Sequence, residues 1–310
     1  MSSLLRVPAP AKLNLFLHIV GRRADGYHLL QSVFTFIDLC DYLDFTVRTD
    51  GKIERIGSSI NGLAAKDDLI IRAAKLLQQH TGTTLGASIR CEKNIPSGAG
   101  LGGGSSDAAT TLIALNALWQ TKLNRQQLMS LGLRLGADVP VFIFGRSAFA
   151  EGIGEQLRPL SLPEYAYLLF KPQASVATPV IFQDKALTRD SKPVIITDFT
   201  DYKAVSSADA HGSMALFGSN ALESVACKHA PEINQLLIYL RSKKIHAKMT
   251  GSGSTIFAAF SNRAAATRQQ SYLCSTIMLE QPSMHTTLSS WVVSGLNTHP
   301  LYNWLTEFGD

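Results

Sequence analysis

Two hydrophobic patterns of different period flank one glycine-rich segment of the chain. Residues 87–92 alternate apolar and polar side chains, which predicts a half-buried β-strand. Residues 108–119 carry Ala, Leu, Leu and Trp at helical spacing, which predicts an α-helix. Between them lie residues 96–106, of which five are glycine. The chain therefore predicts a strand, a glycine loop and a helix in direct succession.

A glycine loop in this position is typical of an anion site. Glycine allows backbone conformations that expose N–H groups, and a helix N-terminus adds unpaired donors and a favourable dipole. We expect Ser105 or Ser106 to cap the helix and Asp107 to place a negative charge in its first turn. A flexible linker is the alternative, but a linker does not join a patterned strand to a patterned helix. The segment is interpreted as a phosphate-binding loop.

The loop differs from the two commonest phosphate motifs. A Walker A loop ends in Gly-Lys-Ser/Thr, whereas residues 104–106 are Gly-Ser-Ser and the loop contains no lysine. Three of its glycines fit G-x-G-x-x-G formally, but the acid expected about twenty residues further on is missing. Leu-Trp-Gln stands there, at residues 118–120.

The remaining pattern mixes strands and helices without strict βαβ alternation, which predicts an α+β fold. Predicted strands are residues 13–19, 33–39, 256–260 and 291–293, and predicted helices are residues 69–80, 124–135 and 231–240. Asn124 and Gln127 resemble a capping pair, and Gly136 is expected to end that helix. Residues 186–216 are polar and unpatterned, which predicts a variable connection.

Composition narrows the class of protein. A chain of 310 residues predicts about two domains, which we place at residues 1–157 and 158–310. The 29 Lys and Arg against 24 Asp and Glu suit anionic substrates, but without a dense basic run they do not predict nucleic-acid binding. The four cysteines have neither metal-site nor redox spacing, and no run of eighteen apolar residues occurs. We expect a cytoplasmic protein that does not bind membranes and has no dedicated metal cluster.

Three segments together resemble the GHMP small-molecule kinases. They are Pro-Ala-Lys-Leu-Asn-Leu at residues 10–15, the glycine loop, and Thr-Gly-Ser-Gly-Ser-Thr at residues 250–255, in the order and at the separations of that family. The resemblance implies a two-domain GHMP kinase fold with the active site in the inter-domain cleft. It also implies ATP as the phosphoryl donor, Mg²⁺ as its metal and an alcohol as the acceptor.

Further motifs resemble one branch of the family, whose substrate is an alcohol linked to cytidine diphosphate. They are Arg-Ala-Asp-Gly-Tyr-His at residues 23–28, Leu-Gly-Ala-Asp-Val-Pro at residues 135–140 and Thr-Pro-Val-Ile-Phe at residues 178–182. The resemblance is poor over residues 186–216 and 261–290. One departure is Asp68, where relatives often carry Asn.

The resemblance implies a role for two residues that the pattern alone would leave unremarkable. An Asp such as Asp138 on a connection is usually a turn or cap residue, and a strand Lys such as Lys12 is usually solvated. The family implies that Asp138 accepts the proton of the substrate hydroxyl and that Lys12 pairs with it. Asn14, on the same strand face as Lys12, is expected to contact the substrate.

Other residues are assigned to ligands by the same resemblance. The expected ATP contacts are Lys93, Pro96, Gly98, Gly100, Leu101, Gly102, Gly103, Gly104, Ser105 and Ser106. The expected substrate contacts besides Asn14 are Tyr27, His28, Thr178 and Phe182, with the two aromatic rings stacked on the cytosine. Without the resemblance, Tyr27 and Phe182 would be interpreted as core aromatics.

Two alternatives share the fold. Another GHMP kinase, such as one for homoserine, mevalonate or a sugar, would have no base to stack on the aromatic residues. A non-catalytic nucleotide or metabolite sensor would have no use for both Lys12 and Asp138.

Overall fold

In a computed structural model of the protein, the strands of the described residues form one eleven-stranded sheet. The structure describes residues 2–57, 68–197 and 212–308. The strands are β1 (Ser3–Arg22), β2 (His28–Arg48), β3 (Ile53–Arg55), β4 (Gly86–Glu92), β5 (Ala148–Glu151), β6 (Gln156–Pro159), β7 (Ala166–Pro172), β8 (Ser213–Met214), β9 (Ala247–Met249), β10 (Ile256–Phe260) and β11 (Leu288–Leu296).

The helices lie mainly in two groups, one in each half of the chain. They are α1 (Leu69–Thr81), α2 (Gly103–Leu118), α3 (Arg125–Leu133), α4 (Val139–Phe144), α5 (Thr178–Gln183), α6 (Glu223–His229), α7 (Pro231–Ser242), α8 (Arg263–Glu280) and α9 (Pro282–His285), followed by a 3₁₀ helix at Tyr302–Phe308. Over the described residues, every helix is too short or too polar to cross a membrane.

The long strands β1 and β2 organise the sheet. The hydrogen-bonded order is β3-β4-β2-β11-β7-β10-β8, and β2 also pairs with β1 and β5 along other parts of its length. All of these pairings are antiparallel except that of β3 with β4. Because β11 pairs with both β2 and β7, it joins the strands of the two halves of the chain.

Apolar side chains collect into separate cores. The first core contains residues of α1–α4 together with β2 and β4, and α2 at its centre buries twelve of its sixteen residues. The second core contains residues of α6–α8 with β7 and β10, and a third lies along β1, β2, β7 and β10. Leu301 and Leu305, close to the end of the chain, pack in the first core. The chain therefore returns to its first half after building the second.

The structure confirms the α+β class and most of the predicted elements. Asn124 and Gln127 form the predicted capping box, with both hydrogen bonds 2.9 Å long. The helix that they begin ends at Leu133, so the expected end at Gly136 was wrong. The predicted boundary between residues 157 and 158 falls inside β6, and it stays a prediction. Residues 198–211 of the predicted variable connection lie outside the described residues.

Candidate active site

A cleft of about 1050 Å³ is lined by both halves of the chain. Its walls come from the glycine loop, β1, the segment before β2, the residue preceding α4, α5 and residues 251–253. The predicted site residues that line it are Lys12, Asn14, Tyr27, His28, Lys93, Pro96, Gly98, Gly100, Leu101, Gly102, Gly103, Gly104, Ser105, Asp138, Thr178 and Phe182. The fold therefore brings all but one of the predicted residues, Ser106, to a single cleft.

The glycine loop needs its glycines for conformation. Gly98, Gly100 and Gly102 have φ angles of 62°, 73° and 73°, the left-handed region that other residues rarely adopt. Gly102 is also the N-cap of α2, and its lack of a side chain leaves the first N–H groups of the helix without a side-chain cap. These donors line the cleft at the end of the helix that attracts anions.

The expectation that Ser105 or Ser106 caps α2 was wrong, because both lie inside the helix. Ser106 is fully buried and its hydroxyl donates to the carbonyl of Pro10 at 2.7 Å, so it is not open to a phosphate or a metal. Ser105 is partly exposed and lines the cleft. Asp107 was expected in the first turn of α2, but it lies beyond that turn.

The first and third predicted motifs pack on the glycine loop. The backbone N–H of Lys12 donates to the carbonyl of Leu101 at 3.0 Å, which fixes β1 against the loop. On the other side, a Cβ atom at Gly100 would lie 2.3 Å from the carbonyl oxygen of Thr250. Only glycine permits this approach, so the three motifs form one structural unit.

Lys12 and Asp138 face each other across the cleft wall. The Nζ atom of Lys12 lies 3.4 Å from Oδ2 of Asp138 and donates to Oδ1 of Asn14 at 2.5 Å. Lys12 is buried on the same strand face as Asn14, as the alternation of β1 predicts. Asp138 immediately precedes α4 without capping it, so its carboxylate is directed to other partners. The arrangement places a fixed cation beside a carboxylate.

Asn14 is itself held in place. Its Nδ2 atom donates to the hydroxyl of Ser32 at 2.8 Å, which in turn donates to the carbonyl of Phe16 at 2.6 Å. Its backbone N–H donates to the hydroxyl of Thr250 at 2.9 Å. The amide oxygen of Asn14 is thereby oriented toward Lys12, which fixes the position of the ammonium.

Lys93 lines the cleft and is held there by two buried carboxylates. Its Nζ atom donates to Oδ2 of Asp107 at 2.6 Å and to Oδ2 of Asp41. Burial alone would lower the pKa of Lys93, but the two carboxylates raise it above its ordinary value, and burial raises the pKa of Asp107. The other oxygen of Asp41 accepts from the backbone N–H groups of Asn94 and Ile95, at 2.6 and 2.8 Å.

Asp41 is a residue that sequence reasoning missed. It is fully buried in β2, and it fixes both Lys93 and the backbone that leads into the glycine loop. No sequence signal singled it out, because β2 also carries Asp38 and Asp44 at the same spacing. Asp68, the departure from relatives, is a cap: its carboxylate accepts from the N–H of Ile70 at 2.9 Å and pairs with Arg55 at 2.6 Å.

The far end of the cleft carries aromatic rings. Tyr27 is 58% exposed, so it is not a core residue. The ring centroids of His28 and Phe182 lie 5.1 Å apart, with an interplanar angle of 37°. The hydroxyl of Thr178, at the start of α5, lies 2.8 Å from that of Ser252. These contacts bring α5 and the third motif to the same wall.

Arg189 is the second residue that sequence reasoning missed. It lines the cleft, and its Nε atom donates to Nε2 of His28 at 3.0 Å. It lies in the segment that was interpreted as a variable connection, where no pattern marks it. The same segment is tied to the sheet, since the backbone N–H of Val194 donates to Oε1 of Gln31 at 2.7 Å.

Family models match both halves of the chain. The model described as GHMP kinases N terminal domain matches residues 68–146, and the model described as GHMP kinases C terminal matches residues 204–277. The first spans α1, the glycine loop, α2 and the residue Asp138. The second includes the third glycine motif.

Curated relatives resemble the chain over most of its length. A protein of Bordetella parapertussis named 4-diphosphocytidyl-2-C-methyl-D-erythritol kinase is 50% identical over 98% of this chain and 100% of its own. A protein of Ralstonia pickettii with the same name is 54% identical over 82% of this chain and 85% of its own.

Solved structures agree with these relatives. A crystal structure of 4-(cytidine 5'-diphospho)-2C-methyl-D-erythritol kinase is 32% identical, has a TM-score of 0.73 and covers 94% of this chain and 98% of its own. A homoserine kinase from Cytophaga hutchinsonii, at 14% identity and a TM-score of 0.66, shares the fold alone. The chain belongs to the GHMP kinase family, in the group whose curated members are named 4-diphosphocytidyl-2-C-methyl-D-erythritol kinase.

Proposed function

We propose that the protein is an ATP-dependent kinase that phosphorylates the 2-hydroxyl group of 4-diphosphocytidyl-2-C-methyl-D-erythritol, in the methylerythritol phosphate pathway of isoprenoid precursor biosynthesis. The observation that carries the proposal is a single cleft that holds a phosphate loop, a Lys–Asp pair and an aromatic pocket. The names of relatives that are half identical to this chain support the same substrate. The expected cytoplasmic location agrees with the use of ATP.

The dimensions of the cleft suit a long, nucleoside-linked substrate. The strand pairing places Asn14 opposite Phe34, six residues along β2 from His28. At about 3.3 Å of rise per residue, His28 lies up to about 20 Å along β2 from the position opposite Asn14. A diphosphate between a cytidine and a short polyol can bridge that span, whereas a small substrate such as homoserine cannot.

In the proposed reaction, Asp138 accepts the proton of the substrate hydroxyl. The oxygen of that hydroxyl attacks the γ-phosphorus of ATP. The new bond joins this oxygen to phosphorus, and the bond from phosphorus to the β–γ bridging oxygen breaks, which releases ADP. Lys12, held by Asn14, stabilises negative charge on the attacking oxygen and on the transferring group. The N–H groups of the glycine loop and of the α2 N-terminus hold the phosphates of ATP.

Mg²⁺ is part of the proposal, and the residues present fit it. Mg²⁺ prefers hard oxygen ligands, keeps several waters and binds largely through substrate phosphates, so a dedicated protein cage is not required. Ser105 offers a partly exposed hydroxyl at the start of α2, and Asp138 offers a carboxylate that is 40% exposed. When bound, the ion would neutralise charge on the phosphates of ATP.

The remaining ligand contacts follow from the ends of the cleft. We assign Lys93 to the adenine end of ATP. The other residues that we assign to ATP are Pro96, Gly98, Gly100, Leu101, Gly102, Gly103, Gly104 and Ser105. We assign Tyr27, His28, Thr178 and Phe182 to the cytidine diphosphate part of the substrate. Buried carboxylates of Asp41 and Asp107 hold Lys93 in place at this end of the cleft.

ADP release by the purified protein tests the function. We expect release with ATP and the diphosphocytidyl substrate together, and little with ATP alone, with mevalonate or with homoserine. Phosphorus NMR of the product then identifies the hydroxyl that carries the new phosphate. Release with a substrate that lacks a base would favour another GHMP kinase activity, and nucleotide binding without release would favour a sensor.

A further inference from the structure

The guanidinium of Arg189 connects the two elements that form the aromatic end of the cleft. Its Nη2 atom donates to the carbonyls of Phe182 and Asp184, at 3.1 and 2.8 Å. Its Nη1 atom donates to the carbonyl of Leu187 at 3.0 Å. These three bonds fix the guanidinium against the chain that follows α5, and its Nε atom is thereby directed at His28.

The bond to His28 determines which nitrogen of the ring carries the proton. An arginine Nε–H is always a donor, so Nε2 of His28 must accept. In a neutral imidazole the other nitrogen then carries the hydrogen. The ring therefore presents Nδ1–H, and in the described part of the chain no hydrogen bond reaches this atom. Since His28 lines the cleft, Nδ1–H is a donor available to a ligand.

The charges around His28 keep its ring neutral. Partial burial lowers the pKa of His28 below its ordinary value, and the nearby guanidinium groups of Arg189 and Arg22 lower it further. Neither cation can accept a proton from the ring. A neutral ring with one donor and one acceptor is therefore the form that meets the ligand at neutral pH.

We propose that Arg189 is a positioning residue that fixes His28 as the Nδ1–H tautomer and so makes the pocket select cytosine over uracil. The N3 atom of cytosine is an acceptor, whereas the N3 atom of uracil carries a hydrogen. A ring held as Nδ1–H can donate a hydrogen bond to N3 of cytosine. In uracil the same N–H group faces the N3–H group, which is also a donor. The proposal rests on the proposed function, because the base is that of the cytidine substrate.

The test combines binding of CDP and UDP with the tautomer of His28 measured by NMR. In the parent protein we expect CDP to bind about tenfold or more tightly than UDP, because a mismatched donor pair leaves a polar group unpaired. Long-range ¹H–¹⁵N spectra with ¹⁵N-labelled histidine distinguish the two tautomers, and His28→Asn identifies the signal among the eight histidines. We expect the Nδ1–H form.

The informative variant is Arg189→Lys, which keeps the charge and loses the Nε donor. We expect the CDP preference to fall about tenfold and the His28 signal to show a mixture of tautomers, with the affinity for ATP unchanged. Arg158→Lys is the matched control, since its exposed guanidinium pairs with Glu151 instead. Thermal melting shows whether each variant is folded.

If Arg189→Lys does not fold, the tautomer of His28 measured in the parent still decides the proposal. If it folds, a double variant tests whether Arg189 acts through His28. In His28→Asn the side-chain amide takes the place of the ring, so Arg189 no longer controls a tautomer. Adding Arg189→Lys to His28→Asn should leave the CDP preference unchanged. An Nε2–H ring in the parent, or an undiminished preference in folded Arg189→Lys, overturns the proposal. Failure of the parent to release ADP refutes the proposed function instead, because the CDP, UDP and NMR measurements do not need turnover.

Discussion

The side chains of Lys12 and Asp138 differ sharply in exposure although their charged atoms are 3.4 Å apart. The side chain of Lys12 is 3% exposed and that of Asp138 is 40% exposed. The buried ammonium also lies over the ring of Phe34, 5.4 Å from its centre, and bonds to Asn14. The cation is thus fixed, and the carboxylate keeps an open edge toward the cleft. An open carboxylate beside a fixed cation is suited to accept a proton from a bound alcohol.

Replacing Asp138 should therefore remove turnover without removing nucleotide binding. We expect Asp138→Asn to lower kcat by about a hundredfold to ten-thousandfold, the usual contribution of a general base. Steady-state ADP release measures kcat, and titration with a fluorescent ATP analogue measures binding. Asp50→Asn makes the same change in the ion pair with Arg48 and should leave kcat unaltered. Parent-like turnover of Asp138→Asn would contradict the assignment of the base.

The close packing of Gly100 on the third motif predicts a loss of ATP affinity when a methyl group is added. A Cβ atom there would lie 2.3 Å from the carbonyl oxygen of Thr250, so the loop must move. We expect Gly100→Ala to weaken binding of an ATP analogue by about tenfold or more, equivalent to at least about 1.4 kcal/mol.

Gly82→Ala is the control for that substitution. Gly82 also has a left-handed backbone, with φ 68°, but a Cβ atom there would have no heavy atom within 4 Å. Both variants incur about 1–2 kcal/mol for the left-handed conformation, seen in urea denaturation. Only Gly100→Ala should lose ATP affinity, and an equal loss in both variants would show that general destabilisation is the cause.

The buried ring of His299 should make the free energy of unfolding decrease at acid pH. Burial and, to a lesser extent, the charge of Arg125 together lower the pKa of His299 to about 3. Its Nδ1 atom accepts from the N–H of Leu301 at 3.0 Å. Between pH 6.5 and about 3 the unfolded chain binds a proton that the folded ring does not. The free energy of unfolding therefore falls as pH decreases, by up to about 1.4 kcal/mol per unit from this group.

Comparison with His299→Asn isolates this effect. The Asn oxygen can still accept from the N–H two residues on, but it does not titrate. Urea midpoints at pH 7 and pH 5 should show that the stability advantage of the parent over the variant shrinks at the lower pH. Exposed His80→Asn serves as control and should show no such change. A constant difference between parent and His299→Asn would contradict the buried neutral ring.

Local patterns predicted the elements better than they predicted the contacts between them. The capping box of Asn124 and Gln127 was predictable because both partners lie within one turn. Cap assignment failed at Ser105 and Ser106, because α2 begins earlier at a glycine and Ser106 finds a distant acceptor in Pro10. A side chain with a long-range partner follows the tertiary structure rather than the local pattern.

In the candidate site, too, local motifs were easier to predict than contacts between distant residues. The predicted motifs could be recognised because each has a distinctive spacing. No local pattern distinguishes Asp41 from Asp38 and Asp44 on the same strand, and none marks Arg189 in its segment. Asp41 acts through Lys93 and two backbone N–H groups, and Arg189 through His28 and three carbonyls. Their roles depend on strand pairing and on the path of the chain after α5, which no period in the sequence specifies.

The exposed ring of Tyr27 and the partly buried ring of Phe182 are each predicted to strengthen binding of the cytidine substrate. Stacking on an aromatic side chain contributes about 1–3 kcal/mol per base, so loss of either ring should weaken substrate binding by about fivefold to a hundredfold. Tyr27→Ala should not alter stability, because the ring is 58% exposed. Phe182→Leu is preferred to Ala, because Phe182 packs against the second core.

Steady-state kinetics with each substrate varied in turn measures the effect of these variants. The KM for the diphosphocytidyl substrate should rise in both, and the KM for ATP should stay within about twofold of the parent, since a stacking loss of 1–3 kcal/mol falls on the cytosine alone. Tyr272→Ala removes an exposed aromatic residue on α8 and should change neither constant. CDP should inhibit the parent competitively against the cytidyl substrate and only weakly in the variants. If both variants keep the parent affinity for that substrate, the aromatic end of the cleft does not bind the base, and a kinase for a smaller substrate becomes the better interpretation.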